Sequence, residues 1–107
     1  MPRFLTIGYG DQAGYDQTPV ALRDAAHEHD ARLVAEGADV GTLRDPVRVT
    51  NTHGRGTRAE VGPFMQTTLP VAGFALIEAD SLEDAIARVS NTPCAVASGV
   101  VEVWRVG

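Results

Sequence analysis

The stretch Val71–Glu78, which reads Val-Ala-Gly-Phe-Ala-Leu-Ile-Glu, decides the fold. It is the strongest strand pattern in the chain, because apolar residues fill it up to the final glutamate. Its side chains alternate between the two faces of a sheet, and both sets are apolar: Val71, Gly73, Ala75 and Ile77 on one face, Ala72, Phe74 and Leu76 on the other. A strand with one face in water alternates apolar and polar residues instead. We therefore expect a sheet that is covered on both faces.

Two further strands and a helix are predicted around this stretch. Arg3–Tyr9 and Val100–Val106 are rich in β-branched and aromatic residues, which predicts the first and last strands. A helix is predicted to begin at Asp80 or Ser81, because acidic residues follow in its first turn. Asn91-Thr92-Pro93 is expected to end it.

A longer helix is predicted between Thr18-Pro19 and Glu36. Thr18 is expected to cap it, with the proline in the first turn and a glycine after its end. Its apolar stripe is predicted to consist of Leu22, Ala26, His29 and Leu33. His27 lies on another side of this helix, beside Arg23 and Asp30, and is expected to face solvent.

The remaining segments complete an α+β order. Gln12–Gln17 is predicted to be a loop and Ala38–Leu43 a short strand. Val47–Asn51 and Thr57–Val61 are predicted to pair as a hairpin across a glycine-rich turn. The economical fold is a ferredoxin-like βαββαβ sandwich with one extended hairpin, formed by a single domain over residues 1–107.

Two helices can cover only one face of such a sheet, so the other apolar face needs a cover. The simplest cover is a second copy of the chain, sheet against sheet, in a two-fold homodimer. The alternative is that the loop Gly62–Pro70 folds back over this face. We expect the homodimer.

Composition excludes several classes of function. The net charge of −5 argues against a nucleic-acid partner. All positive residues are arginine, which excludes a Schiff-base lysine and a P-loop lysine. The single cysteine excludes an internal disulfide framework and a cysteine-based zinc site, and it favours a reducing, cytoplasmic compartment. The longest apolar stretch is far too short for a membrane span, and the first residues turn polar too soon for a signal peptide.

Several segments resemble the YCII-related domain family, in its DGPF-motif subgroup. The resemblance is carried by Gly62-Pro63-Phe64, by Ala72–Glu78 followed by the helix start Leu82–Ala85, and by the two ends of the chain, Ile7–Asp11 and Gly99–Val103. It covers nearly the whole chain in the same element order. Val61 stands where the motif has its aspartate, so this chain lacks that charge.

This resemblance implies a dimeric ferredoxin-like α/β barrel and an activity based on a helix histidine with a nearby aspartate. His29 matches that histidine and Asp11 matches that aspartate by position. Members of the family are proposed to be small enzymes or ligand binders. Whether this chain is an enzyme therefore stays open at this point.

The residues themselves also favour His29 as the acid–base group, because it lies on the apolar stripe of the long helix and should point toward the sheet. The alternative is that His29 lies at the edge of the core and forms a hydrogen bond with a backbone carbonyl. Around it, Tyr9, Phe64, Phe74 and Trp104 are expected to bind the substrate. Cys94 is expected to be a small buried residue rather than a nucleophile.

We therefore expect a cofactor-independent enzyme that isomerises, eliminates from or moves a proton on a small organic substrate. No sequence pattern for a flavin, a nicotinamide or a metal is present. The alternative is a non-catalytic dimer that binds a small molecule or regulates another process.

Overall fold

The computed structural model describes all residues, 1–107, and gives an α+β fold. The strands are β1 (Arg3–Tyr9), β2 (Asp39–Thr42), β3 (Val47–Thr50), β4 (Arg58–Val61), β5 (Val71–Glu78) and β6 (Val100–Val106). The helices are α1 (Gln12–Gln17), α2 (Val20–Ala35), α3 (Leu82–Val89) and α4 (Pro93–Val96), and a 3-10 turn occupies Thr52–Gly54.

Four strands form one antiparallel sheet in the order β2-β5-β1-β6. This order, with helices in the two crossovers, is compatible with the predicted ferredoxin-like arrangement. β3 and β4 pair only with each other and form a separate two-stranded ribbon, which is the extended hairpin of the sequence prediction. The bounds predicted for β1, β5 and β6 are confirmed.

The core lies between one face of the sheet and the helices. Phe4 of β1 is paired with Ile77 of β5 and is only 1% exposed. The core cluster consists of Phe4, Ala75, Ile77, Ala79, Ala85 and Val89. α3 contributes to it because Ala85 and Val89 fall one turn apart on the same side of the helix.

The opposite face of the sheet has no helix over it. We call it the open face, and it carries Leu5, Ile7, Phe74, Leu76 and Trp104, which are cross-strand neighbours. Trp104 is 56% exposed there. The loop of residues 62–70 covers only the Tyr9 end of this face, where the Tyr9 hydroxyl donates a hydrogen bond to Met65 Sδ at 3.5 Å, while Phe64 of the same loop is 85% exposed.

Three local predictions around α2 are wrong. Gln12–Gln17 forms the short helix α1 rather than a loop, because the Asp11 carboxylate accepts a hydrogen bond from the Gly14 amide and caps it. Thr18 then donates its hydroxyl to the Gly14 carbonyl at the end of α1 and does not cap α2, whose N-cap is Pro19. Leu22, expected on the apolar stripe, is half exposed.

α3 begins as predicted. Ser81 is its N-cap and accepts a hydrogen bond from the Asp84 amide at 3.1 Å. The Asp84 carboxylate accepts from the Asp80 amide and from Arg88 Nε. These hydrogen bonds lower the pKa of Asp84, with the Asp80 amide as the largest cause. The segment after α3 turns again as α4, which the sequence prediction lacked.

Candidate functional site

A largely apolar cavity of about 570 Å³ lies between the helix-covered face of the sheet and the segments α1, α2 and α4. The central strands of the sheet form its floor, at the position where Gly8 of β1 is paired with Gly73 of β5. Neither glycine contributes a side chain to the lining, while Val101 of β6 and Thr42 of β2 flank them at the same level.

The structure leaves no space for larger residues at either position. A Cβ on Gly8 would lie 2.7 Å from Cys94 Sγ, and a Cβ on Gly73 would lie 2.6 Å from the Gly41 carbonyl oxygen. Both distances are shorter than real Cβ contacts, so the close approach of α4 and β2 requires glycine here.

Asp30 of α2 brings a half-buried carboxylate to this cavity. No hydrogen bond or ion pair within the protein engages this carboxylate. Burial raises the pKa of Asp30 above that of a free aspartate, while the charges of His27 and His29 oppose the rise. A carboxyl group in such surroundings exchanges a proton closer to neutral pH and can accept a hydrogen bond from a ligand.

A hydrogen-bonded pair lies beside Asp30 in the cavity lining. The Tyr15 hydroxyl of α1 and His27 Nε2 of α2 are 2.8 Å apart, and their rings meet edge to face. The Arg23 guanidinium lies 4.9 Å from the centre of the Tyr15 ring, in a cation–π contact that holds the tyrosine. His27 is therefore fixed in orientation although its side chain is exposed.

Cys94 also lines the cavity but is not activated. Burial raises the pKa of the Cys94 thiol, and the nearby Asp30 charge raises it further. The group is therefore a thiol rather than a thiolate at neutral pH. This agrees with its predicted role as a small packing residue.

The structure does not bring the predicted acid–base residues together. Asp11 lines the same cavity as Asp30, but its carboxylate is engaged in the cap of α1. His29 Nε2 donates a hydrogen bond to the Arg88 carbonyl and lines a different, more polar groove between α2 and α3. The expected orientation of His29 by Asp11 is thus absent, and the alternative of a backbone-satisfied histidine describes its contacts.

The groove that contains His29 has a volume of about 880 Å³ and is bordered by paired charges. Arg88 forms ion pairs with Asp84 at 3.2 Å and with Glu36 at 3.4 Å. These contacts connect α2 to α3 across the surface. The groove therefore lacks a charged side chain that is both buried and free of a partner.

The four predicted substrate-binding residues are also dispersed. Phe74 borders the Asp30 cavity, but it belongs to the open face, where its ring lies against Gly41. Tyr9 and Trp104 belong to a cluster on the open face, where both donate hydrogen bonds to Glu102, at 3.1 and 2.7 Å. Phe64 lies in solvent. Burial, the hydrogen bond to Glu102 and the charge of that residue raise the pKa of Tyr9.

The sequence prediction missed His27 and Asp30 as members of the site. The available signal was the spacing of Arg23, His27 and Asp30, which are four and three residues apart and so share one side of a helix. The polarity of that side predicts solvent exposure. His27 is indeed exposed, but the same side also borders the cavity.

Comparisons with known proteins give no further assignment. No protein family matches the chain, and no curated protein of similar sequence was found.

No helix has the length and apolar character that crossing a bilayer requires. No group of three or more His, Cys, Asp or Glu side chains is arranged to hold a metal ion.

Proposed function

We propose that the protein binds a small, largely apolar organic molecule in the Asp30 cavity and that Asp30 moves a proton on it. The observation that carries the proposal is the half-buried Asp30 carboxylate, which lines an apolar cavity without a partner from the protein. The reaction class is isomerisation, elimination or simple proton transfer, and it needs only side chains of the chain itself.

The roles follow from the contacts. The Asp30 carboxylate accepts a proton from an acidic C–H or O–H of the ligand and returns it at another atom, which a raised pKa makes easier. His27 and Tyr15 contribute a second proton-carrying group and fix the orientation of the ligand at the rim. The largely apolar lining of the cavity suits an apolar ring or chain.

A ligand screen tests the proposal. Thermal shift selects compounds that raise the melting temperature, because binding to the folded state stabilises it by mass action. Thr42 is exposed at the rim of the cavity, so Thr42→Trp should block binding without disturbing the core. Thr50→Trp, on the separate ribbon, is the matched control and should bind as the wild type does. Equal binding by both variants would contradict the assignment of this cavity.

A second candidate function is binding without chemistry. It is favoured by the engagement of Asp11 and His29 in structural hydrogen bonds and by the unactivated Cys94. In that case the same ligands bind, but the protein exchanges no proton of the ligand with solvent. The two functions therefore differ in whether the protein accelerates the exchange of a ligand proton with solvent.

We further propose that the active form is a homodimer, as the apolar open face suggests. The chain exposes 7367 Å² of surface. A compact monomer of this mass exposes about 5,700 Å², and the excess of about 1,600 Å² is on the scale of the area that each subunit of an obligate dimer buries. The radius of gyration of 15.6 Å also exceeds the value of about 13 Å for a compact chain of this length. A monomer in light scattering at micromolar concentration would contradict this proposal.

Membership of the YCII-related family and a cytoplasmic location are proposals of the same kind. They are supported by the motif residues quoted above, by the element order and by the single, protonated cysteine.

A further inference from the structure

The β3–β4 ribbon extends from the body of the protein as an arm. We define the arm as residues 44–61; it contains both strands of the ribbon and the turn between them. The molecule measures 51 × 36 × 20 Å, which is far from spherical. A two-stranded ribbon by itself is marginally stable in water, so an arm of this kind requires a surface to pack on.

One face of the arm is apolar and uncovered. Val47 lies opposite Val61 and Val49 lies opposite Ala59 across the ribbon, so these four side chains share one face. Val47, Val49 and Val61 are 55%, 65% and 87% exposed. The other face carries the ion pair between Arg48 and Glu60, at 3.1 Å. The ribbon thus has a polar face and an apolar face, and the apolar face has no partner within the chain.

The charge of the arm complements that of the body. The arm holds four of the nine arginines of the chain, at 44, 48, 55 and 58, but only two of its fourteen acidic residues. It is therefore net positive, whereas the rest of the chain is strongly negative. The open face of the sheet carries Asp39, Glu78 and Glu102 against one arginine, Arg3, which lies opposite Glu78; its net negative charge suits a positively charged partner.

We propose that the arm of each subunit covers the open face of a second copy. The proposal rests on the homodimer proposed above. In that dimer the apolar side of one arm packs against Leu5, Phe74 and Trp104 on the open face of the second copy. The two-fold axis repeats the same contact with the two subunits exchanged. One chain contains both uncovered apolar surfaces, and the arm and the rest of the chain have opposite net charges, so a copy of the same chain satisfies both. The arm then supplies much of the excess surface that the dimer buries.

Trp104 reports this contact directly, because it is the only tryptophan of the chain and lies on the open face. The experiment measures quenching of its fluorescence by acrylamide, at a concentration where light scattering gives the dimer. Val49→Lys places a charge on the apolar side of the arm. Thr50→Lys adds the same charge on the other side and is the matched control. Both residues are exposed, so neither change should disturb the fold of a subunit.

The expected result is that Trp104 is shielded in the wild type and in Thr50→Lys. In Val49→Lys the quenching constant should rise several-fold and the dimer dissociation constant should rise about 10- to 100-fold. Should Val49→Lys fail to fold by circular dichroism, Val61→Lys replaces it on the same face of the arm.

Three results would overturn the proposal, and they distinguish a failure of the arm contact from a failure of the homodimer. A shielded Trp104 that no arm variant exposes would leave a dimer in which sheet packs directly on sheet. An equal response to Val49→Lys and Thr50→Lys would show an effect of charge alone. A monomer, or an exposed Trp104 in the wild-type dimer, would remove a second copy as the occupant of the open face.

Discussion

Gly8→Ala should destabilise the protein through a collision with one identified atom. The added Cβ would lie 2.7 Å from Cys94 Sγ and 3.1 Å from Cys94 Cβ. Gly8 lies in the middle of β1, with the paired strands β5 and β6 on both sides, so the backbone cannot move away easily. The strain must be relieved by displacement of α4 or by a change of the cysteine rotamer.

The magnitude follows from the cost of overpacking. Inserting a methyl group into such a contact costs about 1–3 kcal/mol, and we expect about 2 kcal/mol for Gly8→Ala. Cys94→Ala alone removes a half-buried sulfur and should cost about 1 kcal/mol. In the double variant the new methyl occupies the space of the sulfur, so its cost should fall below the sum of the two by about 1–2 kcal/mol.

Urea unfolding at pH 7 under reducing conditions measures these free energies. Gly10→Ala is the control, because a Cβ at that position would lie 3.8 Å from Cys94 Sγ, an ordinary contact. It should change the free energy of unfolding by less than about 1 kcal/mol. The reasoning is refuted if Gly8→Ala is neutral, or if Cys94→Ala adds its full cost in the double variant.

Three further predictions concern α2 and α3. Burial raises the pKa of Asp30 in the folded protein, so the stabilisation from protonated Asp30 is complete below the ordinary aspartate pKa of about 3.9. This stabilisation is lost as the pH rises through the pKa of Asp30 in the folded protein. In urea titrations at a series of pH values, the wild type should therefore lose stability relative to Asp30→Asn from acid toward neutral pH. Ser81→Ala should cost about 1 kcal/mol in thermal unfolding because the N-cap of α3 is lost, whereas the same change at exposed Ser90 of its last turn should cost less. Leu33→Ala should cost about 2–5 kcal/mol in urea unfolding because Leu33 is only 2% exposed; a value as small as that of Leu22→Ala, at a half-exposed position, would contradict the assigned face of α2.

The sheet could be predicted from the sequence because its strands are strongly patterned. Because apolar residues occupy both faces of β5, its pattern predicts its bounds and a second apolar face that needs a cover. The glycine-rich turn between β3 and β4 likewise predicts their pairing. That the ribbon extends as an arm depends on tertiary contacts, which the pattern does not contain.

The site was predicted less well because its determinants are long-range. Gly14 makes α1 a poor helix by propensity, yet α1 forms because Asp11 caps it, and its packing on the distant Ala97 requires glycine, since a Cβ at position 14 would lie 2.7 Å from the Ala97 carbonyl oxygen. The side of α2 that carries His27 and Asp30 is polar, so its periodicity indicates solvent. It borders a cavity because segments distant in sequence, including α1, α4 and the central strands, line the space beside it.

Solvent exchange of a ligand proton tests the central claim most directly. A compound that binds the cavity and carries an acidic C–H is incubated with the protein in D₂O, and proton NMR follows the loss of that signal. The account predicts that the wild type accelerates exchange, that Asp30→Asn retains binding but loses most of the acceleration, and that His29→Ala exchanges as the wild type does. Unchanged exchange in Asp30→Asn, or its loss in His29→Ala, would contradict the assignment of Asp30 as the proton-transferring group.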